Sequence, residues 1–164
     1  MKPIAVLIGP PAAGKSKIGK SVSKLLGVPF TDTDSQVAAK HGPIVEIFRN
    51  EGEQRFREWE REEVSRALEA GGIVALGGGA IENVDTQNDL AEQRVVLVTV
   101  SAEAVAGRID NSKRPLLDGI ESWTALVERR MPIYQRFADI EIDTSYGPMD
   151  AHVERLFSEL ENAR

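Results

Sequence analysis

Ile4-Ala5-Val6-Leu7-Ile8-Gly9-Pro10-Pro11-Ala12-Ala13-Gly14-Lys15-Ser16 is the stretch that decides the fold. From Gly9 onward it fits G-x-x-x-x-G-K-[ST], the pattern of a phosphate-binding loop. Its setting gives the match weight. Five apolar residues suited to a buried parallel strand precede Gly9, and Ile18, Val22, Leu25 and Leu26 follow at helical spacing. In the order strand, Gly-rich turn, helix, the loop N–H groups and the helix N-terminus face an anion. Lys15 would then reach the β- and γ-phosphates of a nucleotide, and Ser16 would ligate Mg²⁺. The competing reading is a Gly-containing turn with a solvated lysine, which this context disfavours.

Further strands are expected near 28–32, 73–77, 94–100 and 138–142, the first running over 4–9. Helical patterns fill the gaps; the clearest spans 52–70, where Phe56, Val64 and Leu68 recur at four or a multiple of four and Gly71-Gly72 stops it. Strands alternating with helices imply βαβ crossovers, hence an α/β fold with about five parallel strands and helices on both faces. Ligands on such sheets collect beyond the carboxyl ends of the strands.

At 164 residues, with 41% hydrophobic and 28% charged side chains, the chain suits one soluble domain with a real core. A net charge of −6 argues against a nucleic-acid surface, while leaving room for a small anionic ligand held by local arginines. The absence of cysteine excludes disulfides, thiolate metal sites and cysteine nucleophiles. The N-terminal apolar run is too short for a signal-peptide core and no stretch reaches membrane-spanning length, so a cytoplasmic protein is expected.

Several residues cluster, by this reading, at the ligand edge of the sheet. Asp32-Thr33-Asp34 follows the second strand, offering carboxylates for a metal and for a hydroxyl proton; the plainer reading is a helix cap with an acid in its first turn. Gly77-Gly78-Gly79 costs backbone entropy and suits either a close backbone approach or positive φ, or else an ordinary tight turn. Arg57 has Glu53 and Glu60 at helical spacing, so a surface ion pair would explain it; Arg129 and Arg130 could be equally plain. Residues 107–119 lack periodicity and carry Arg108, Lys113 and Arg114, which suits a mobile cover over phosphates or a simple connection. His41 and His152 have no partners at metal-ligand spacing and read as structural or surface residues.

Taken together, the loop at 9–16, Asp32-Thr33-Asp34, Phe56-Arg57, Gly77-Gly78-Gly79-Ala80, Arg114-Pro115-Leu116-Leu117 and Arg130-Met131-Pro132-Ile133-Tyr134 resemble the shikimate kinase family in order and spacing over nearly the whole chain. The resemblance implies a single P-loop kinase domain of the nucleoside-monophosphate-kinase-like type, with a substrate-binding helical region about 33–62 and a lid about 107–119. It implies ATP-dependent phosphorylation of the shikimate 3-hydroxyl, toward chorismate and the aromatic amino acids, by a monomer without nucleic-acid or membrane partners. Carried onto this sequence, it places Pro11, Ala12, Ala13, Gly14, Lys15, Ser16 and Lys17 on the nucleotide phosphates, and Ser16 and Asp32 on Mg²⁺, Asp32 through water. Asp34 binds the shikimate hydroxyls and acts as base, Arg57 and Arg130 clasp its carboxylate, and Gly78 and Gly79 offer N–H groups. Arg114 reaches the phosphates from the lid, with Lys15 and Asp34 completing the catalytic set, and Arg108 covers adenine. Glu60, one turn beyond Arg57, would hold that arginine's rotamer.

The sequence departs from the family at two positions. Ala12 stands where many members have glycine, and Ile142-Asp143-Thr144 is followed after three residues, instead of four, by Pro148. Two other readings compete: another small P-loop kinase, acting on gluconate or a nucleoside monophosphate, and a non-catalytic nucleotide-binding module. Asp34 speaks against a nucleotide acceptor, because a phosphate nucleophile needs no carboxylate base.

Overall fold

A computed structural model of the chain describes residues 1–109 and 119–163. Its strands β1 (Ala5–Ile8), β2 (Phe30–Asp32), β3 (Ile73–Ala75), β4 (Val95–Thr99) and β5 (Ile140–Asp143) form one sheet in the order β2-β3-β1-β4-β5. All four pairings are parallel, with Ala5 opposite Ile73 and Val6 opposite Val95. Parallel neighbours need crossovers, which the helices supply: α1 (Lys15–Leu26), α2 (Thr33–His41), α3 (Ile44–Asn50), α4 (Glu53–Ala70), α5 (Val84–Leu90), α6 (Ala102–Ile109), α7 (Gly119–Phe137) and α8 (Met149–Glu161). A 3₁₀ turn at Ala80–Glu82 follows β3.

β1 is central and every one of its side chains is buried, which is why it reads as an unbroken apolar run. Alternate residues feed two cores. Ala5 and Leu7 join Ile18, Val22, Ile142 and Leu156 on the α1 and α8 side. Val6 and Ile8 join Val64, Leu68, Leu76 and Tyr134 on the α4 and α7 side. A third, smaller cluster of Val37, Ile47 and Phe56 ties α2 and α3 to α4. The chain leaves β1 at the point where strand order reverses, so the phosphate loop opens into the crevice between β3 and β4. Among the described residues no helix is long and apolar enough to cross a membrane.

Four expectations need correction. β2 starts at Phe30 because Pro29, which has no N–H, contributes only its carbonyl, accepting from Ile73 N at 2.9 Å. β5 begins two residues late: the Asp139 carboxylate accepts from Val95 N at 2.8 Å, capping the neighbouring strand. Leu25 is 57% exposed, since the buried stripe of α1 runs through Ile18, Gly19, Val22 and Ser23. The 107–119 region is also not loop from end to end. α6 continues to Ile109, with Val105 buried in the core, and Gly119 opens α7. Residues 110–118, including Arg114, lie outside the described residues.

Candidate active site

The phosphate loop is held by its carbonyls. Lys15 Nζ donates to Gly9 O at 2.7 Å and to Pro10 O at 2.8 Å. Trp123 Nε1 from α7 donates to Pro11 O at 2.8 Å, Arg108 Nη1 from α6 to Ala12 O at 3.0 Å, and Thr144 Oγ1 after β5 to Ala13 O at 2.6 Å. Five successive carbonyls are thus engaged by side chains from four parts of the chain. In a planar trans peptide the N–H opposes the C=O, so the Ala12 and Gly14 N–H groups are turned away from those donors, as an anion cradle requires. Gly14 caps α1 at φ 93, and Ala12 adopts φ 67, the one non-glycine residue at positive φ among those described. Left-handed backbone costs alanine roughly 1–2 kcal/mol; here the grip on the Pro11 and Ala12 carbonyls enforces it.

At the first turn of α1, Ser16 Oγ donates to Asp32 Oδ2, while Asp32 Oδ1 accepts from Ser35 N at 3.1 Å. Asp32 is therefore both the N-cap of α2 and a carboxylate set against Ser16, so the plain and the chemical readings of this residue coincide. Lys17 is exposed and lines a cavity of about 410 Å³ with Ser16, Lys20, Phe30, Asp32 and Ser35.

Asp34, half-buried in the first turn of α2, faces the end of β3. None of Gly77, Gly78 and Gly79 has positive φ, so the triplet is explained by crowding. A Cβ on Gly77 would strike the Asp34 carboxylate, one on Gly78 would lie 2.9 Å from Pro11 Cδ, and one on Gly79 would strike the Arg57 guanidinium. Three bare Cα atoms let Asp34, the phosphate loop and Arg57 close on one turn.

Arg57 is ion-paired to Glu60 at 2.9 Å and to Glu53 at 3.5 Å. Burial works against its charge, yet Glu60, with Glu53 and Glu82 beyond, holds the guanidinium above its ordinary value. Glu60 itself is buried, and burial pushes its carboxyl up to about 7 against the pull of Arg57. From α7, Arg130 is 5% exposed and meets Glu82 Oε2 at 3.1 Å, whereas neighbouring Arg129 lies largely in solvent on Glu82 Oε1. Glu53, Arg57, Glu60, Arg61, Gly79 and Glu82 are among the residues lining a cavity of about 250 Å³. Guanidiniums held by neighbouring carboxylates beside a bare peptide turn can exchange those partners for the carboxylate of a small acid.

The structure thus brings together Lys15, Ser16, Asp32, Asp34, Gly78, Gly79, Arg57 and Arg130, drawn from five parts of the chain. Arg108 bridges Ala12 O and Thr144 O at the end of α6, tying the phosphate loop to the segment after β5. His41 stacks on Trp59, ring centroids 3.7 Å apart, and His152 contacts Tyr146 O at 2.9 Å. Sequence reasoning gave no role to Trp123 and Glu82, and quoted Thr144 and Tyr134 only as members of the Ile142–Thr144 and Arg130–Tyr134 stretches. Three of these act on backbone carbonyls, which leave no spacing pattern; Glu82 had a usable signal, three residues past the glycine triplet.

Comparison with known proteins agrees with this geometry. The family model for shikimate kinase matches residues 11–161. A shikimate kinase of Mycobacterium avium (strain 104) is 43% identical over 98% of this chain and 94% of its own length. The solved shikimate kinase from Acinetobacter baumannii in complex with shikimate superposes with a TM-score of 0.85 at 29% identity, covering 100% of this chain and 96% of that one. A gluconokinase from Sinorhizobium meliloti 1021 shares the fold, with a TM-score of 0.65 at 16% identity. Matched over nearly its whole length by both sequence and structure, the chain belongs to the shikimate kinase family.

Proposed function

We propose that this chain transfers the γ-phosphoryl group of ATP to the 3-hydroxyl of shikimate, giving shikimate 3-phosphate and ADP, as a cytoplasmic monomer with no nucleic-acid or membrane partner. The observation that supports the reading most is the meeting of Asp34 and Arg57 on the Gly77–Gly79 turn beside the phosphate loop, with buried Arg130 held on Glu82 three residues further on. A chain with this turn and these arginines recognises a carboxylate and a hydroxyl at once, which gluconate could also offer; family membership favours shikimate.

The placement supports the following roles. Lys15 exchanges its loop carbonyls for phosphate oxygens and spreads the charge that develops on the transferring group. Arg57 and Arg130 meet the acceptor's carboxylate and fix its ring, with Gly78 and Gly79 N–H groups as further donors. Asp34 orients the attacking hydroxyl and takes its proton as the oxygen bonds to phosphorus and the bond to the ADP oxygen breaks. The Ser16 hydroxyl and Asp32 carboxylate are hard oxygen donors side by side, a set that fits Mg²⁺, which takes one or two carboxylates and otherwise phosphates and water. When bound, the ion would neutralise charge between the β- and γ-phosphates. Residues 107–119 serve as the lid and 33–62 as the acceptor-binding region of a single domain; Arg114 would reach the phosphates and Arg108 the adenine.

A coupled assay of ADP release with a panel of acceptors tests the reading. Turnover should require ATP and Mg²⁺ and be largest with shikimate; greater turnover with gluconate or a nucleoside monophosphate would replace it, and ATP binding with no acceptor-dependent turnover would favour a non-catalytic module.

A further inference from the structure

We infer that Tyr134 is a positioning residue for the acceptor: by holding the Gly78 carbonyl it aims the Gly79 N–H at the substrate cavity. The inference rests on the acceptor-site reading above. Tyr134 lies on α7 one turn after Arg130, on the same side of the helix, and is 1% exposed. Its hydroxyl donates to Gly78 O at 2.6 Å. Burial, only partly offset by Arg130, pushes the phenol up to about 12, so it remains a donor across the working range.

The peptide between Gly78 and Gly79 is planar and trans, so its N–H opposes its C=O. With the carbonyl pinned to Tyr134, the Gly79 N–H is directed away from α7, and Gly79 is the glycine of the triplet that lines the cavity, with Arg57 packed on its Cα. The rest of the turn is committed elsewhere: Gly77 N donates to Thr33 Oγ1 at 3.3 Å, and Ala80 N to Gly77 O at 3.1 Å. None of the described residues accepts from Gly79 N. Two glycines in succession have little intrinsic preference, so without an anchor this peptide is free to rotate. A side chain at Gly78 would press on Pro11 and one at Gly79 would displace the Arg57 guanidinium, and Tyr134 restores the order that glycine forfeits.

Tyr134→Phe keeps the ring and removes the donor. With shikimate as acceptor, KM for shikimate should rise about tenfold, the factor expected when one buried hydrogen bond orienting a ligand donor is lost. kcat at saturation and KM for ATP should stay within about twofold. Leu160→Val, a core change in α8 remote from the turn, serves as the control for general loosening. It should lower melting without the KM split; an equal rise in KM for shikimate in that variant would overturn the assignment, as would an unchanged KM in Tyr134→Phe. The Gly79 amide resonance of the unliganded protein gives a readout independent of substrate identity: it should shift and broaden in Tyr134→Phe and not in Leu160→Val, and an unmoved resonance overturns the inference. Failure of the wild type to phosphorylate shikimate would instead strike the acceptor reading, leaving the Gly79 resonance to decide the role of Tyr134.

Discussion

Removing the two guanidiniums one at a time tests the acceptor clasp most directly. The Arg130 side chain is 6% exposed and that of Arg57 29%. Truncating one member of a desolvated charge pair costs about 2–5 kcal/mol, much of it the penalty of stranding the other charge. That corresponds to roughly thirtyfold to several thousandfold in affinity. Burial orders the two variants. Arg57 is partly in water and already shared between Glu60 and Glu53, so Arg57→Ala should fall near the lower bound; Arg130→Ala should lie well above it. Arg130→Ala should not unfold the chain, because Glu82, the partner it leaves, is a third exposed and keeps Arg129, and in Arg57→Ala the buried Glu60, already pushed up to about 7, can take a proton in place of its lost partner.

Calorimetric titration with shikimate reads the loss, and titration with ADP and Mg²⁺ on the same samples checks that the nucleotide site is intact. Arg130→Lys should be intermediate, since it keeps the charge and loses the planar fork. Shikimate methyl ester closes a cycle: it should bind wild type poorly and lose little more in either variant, because the interaction being removed is already gone. Losses below about 1 kcal/mol in both variants, the range of exposed ion pairs, would refute the clasp. A larger loss in Arg57→Ala than in Arg130→Ala would refute the weighting by burial.

Three further outcomes are expected. Asp34→Asn should lower kcat by about two orders of magnitude while ATP binding survives, and Asp32→Asn should instead raise the Mg²⁺ requirement; exchanged phenotypes would reverse the two roles. Because the folded state raises Glu60 from 4.5 to about 7, its contribution to stability is complete below pH 4.5 and is lost as pH rises through 7, up to about 3 kcal/mol in all. Urea midpoints at pH 5 and pH 8 should therefore differ more in wild type than in Glu60→Gln, and parallel values would sink that account. Ala12→Gly should relieve the left-handed strain at φ 67 and raise melting by a few degrees, with nucleotide affinity unchanged within about twofold; a lower melting point would show that Ala12 is not strained.

What could be read in the sequence divides along a physical line. The phosphate loop, β1 and the long helix over 52–70 were legible because each depends on a pattern or periodicity that survives in one dimension, whereas Arg57 and Arg130 stood out only through the family resemblance, their spacing alone being that of surface residues. Element ends were less so. Gly107 reads as a break, yet α6 carries on past it because Val105 is buried and Arg108 is fastened to the Ala12 and Thr144 carbonyls. The glycine triplet was legible as a demand for bare backbone but not for its cause, since the atoms that need the space belong to Asp34, Pro11 and Arg57, far away in the chain.

The least legible residues are those that bond to peptide carbonyls. Trp123 and Tyr134 look like core aromatics on α7, and both are buried as a core reading would have them. Their polar tips nonetheless reach two different turns, Trp123 the phosphate loop and Tyr134 the glycine triplet, so one helix is fastened to both. Arg130 sits between them on the same helix. A buried indole or phenol must place its N–H or O–H against an acceptor, and every peptide offers one, so neither partner leaves a mark in the sequence. The acceptors these two found are the carbonyls of turns that, on the proposed reading, would present N–H groups to a ligand. Such turns are short of side chains by necessity, and their geometry has to be imposed from the elements packed around them.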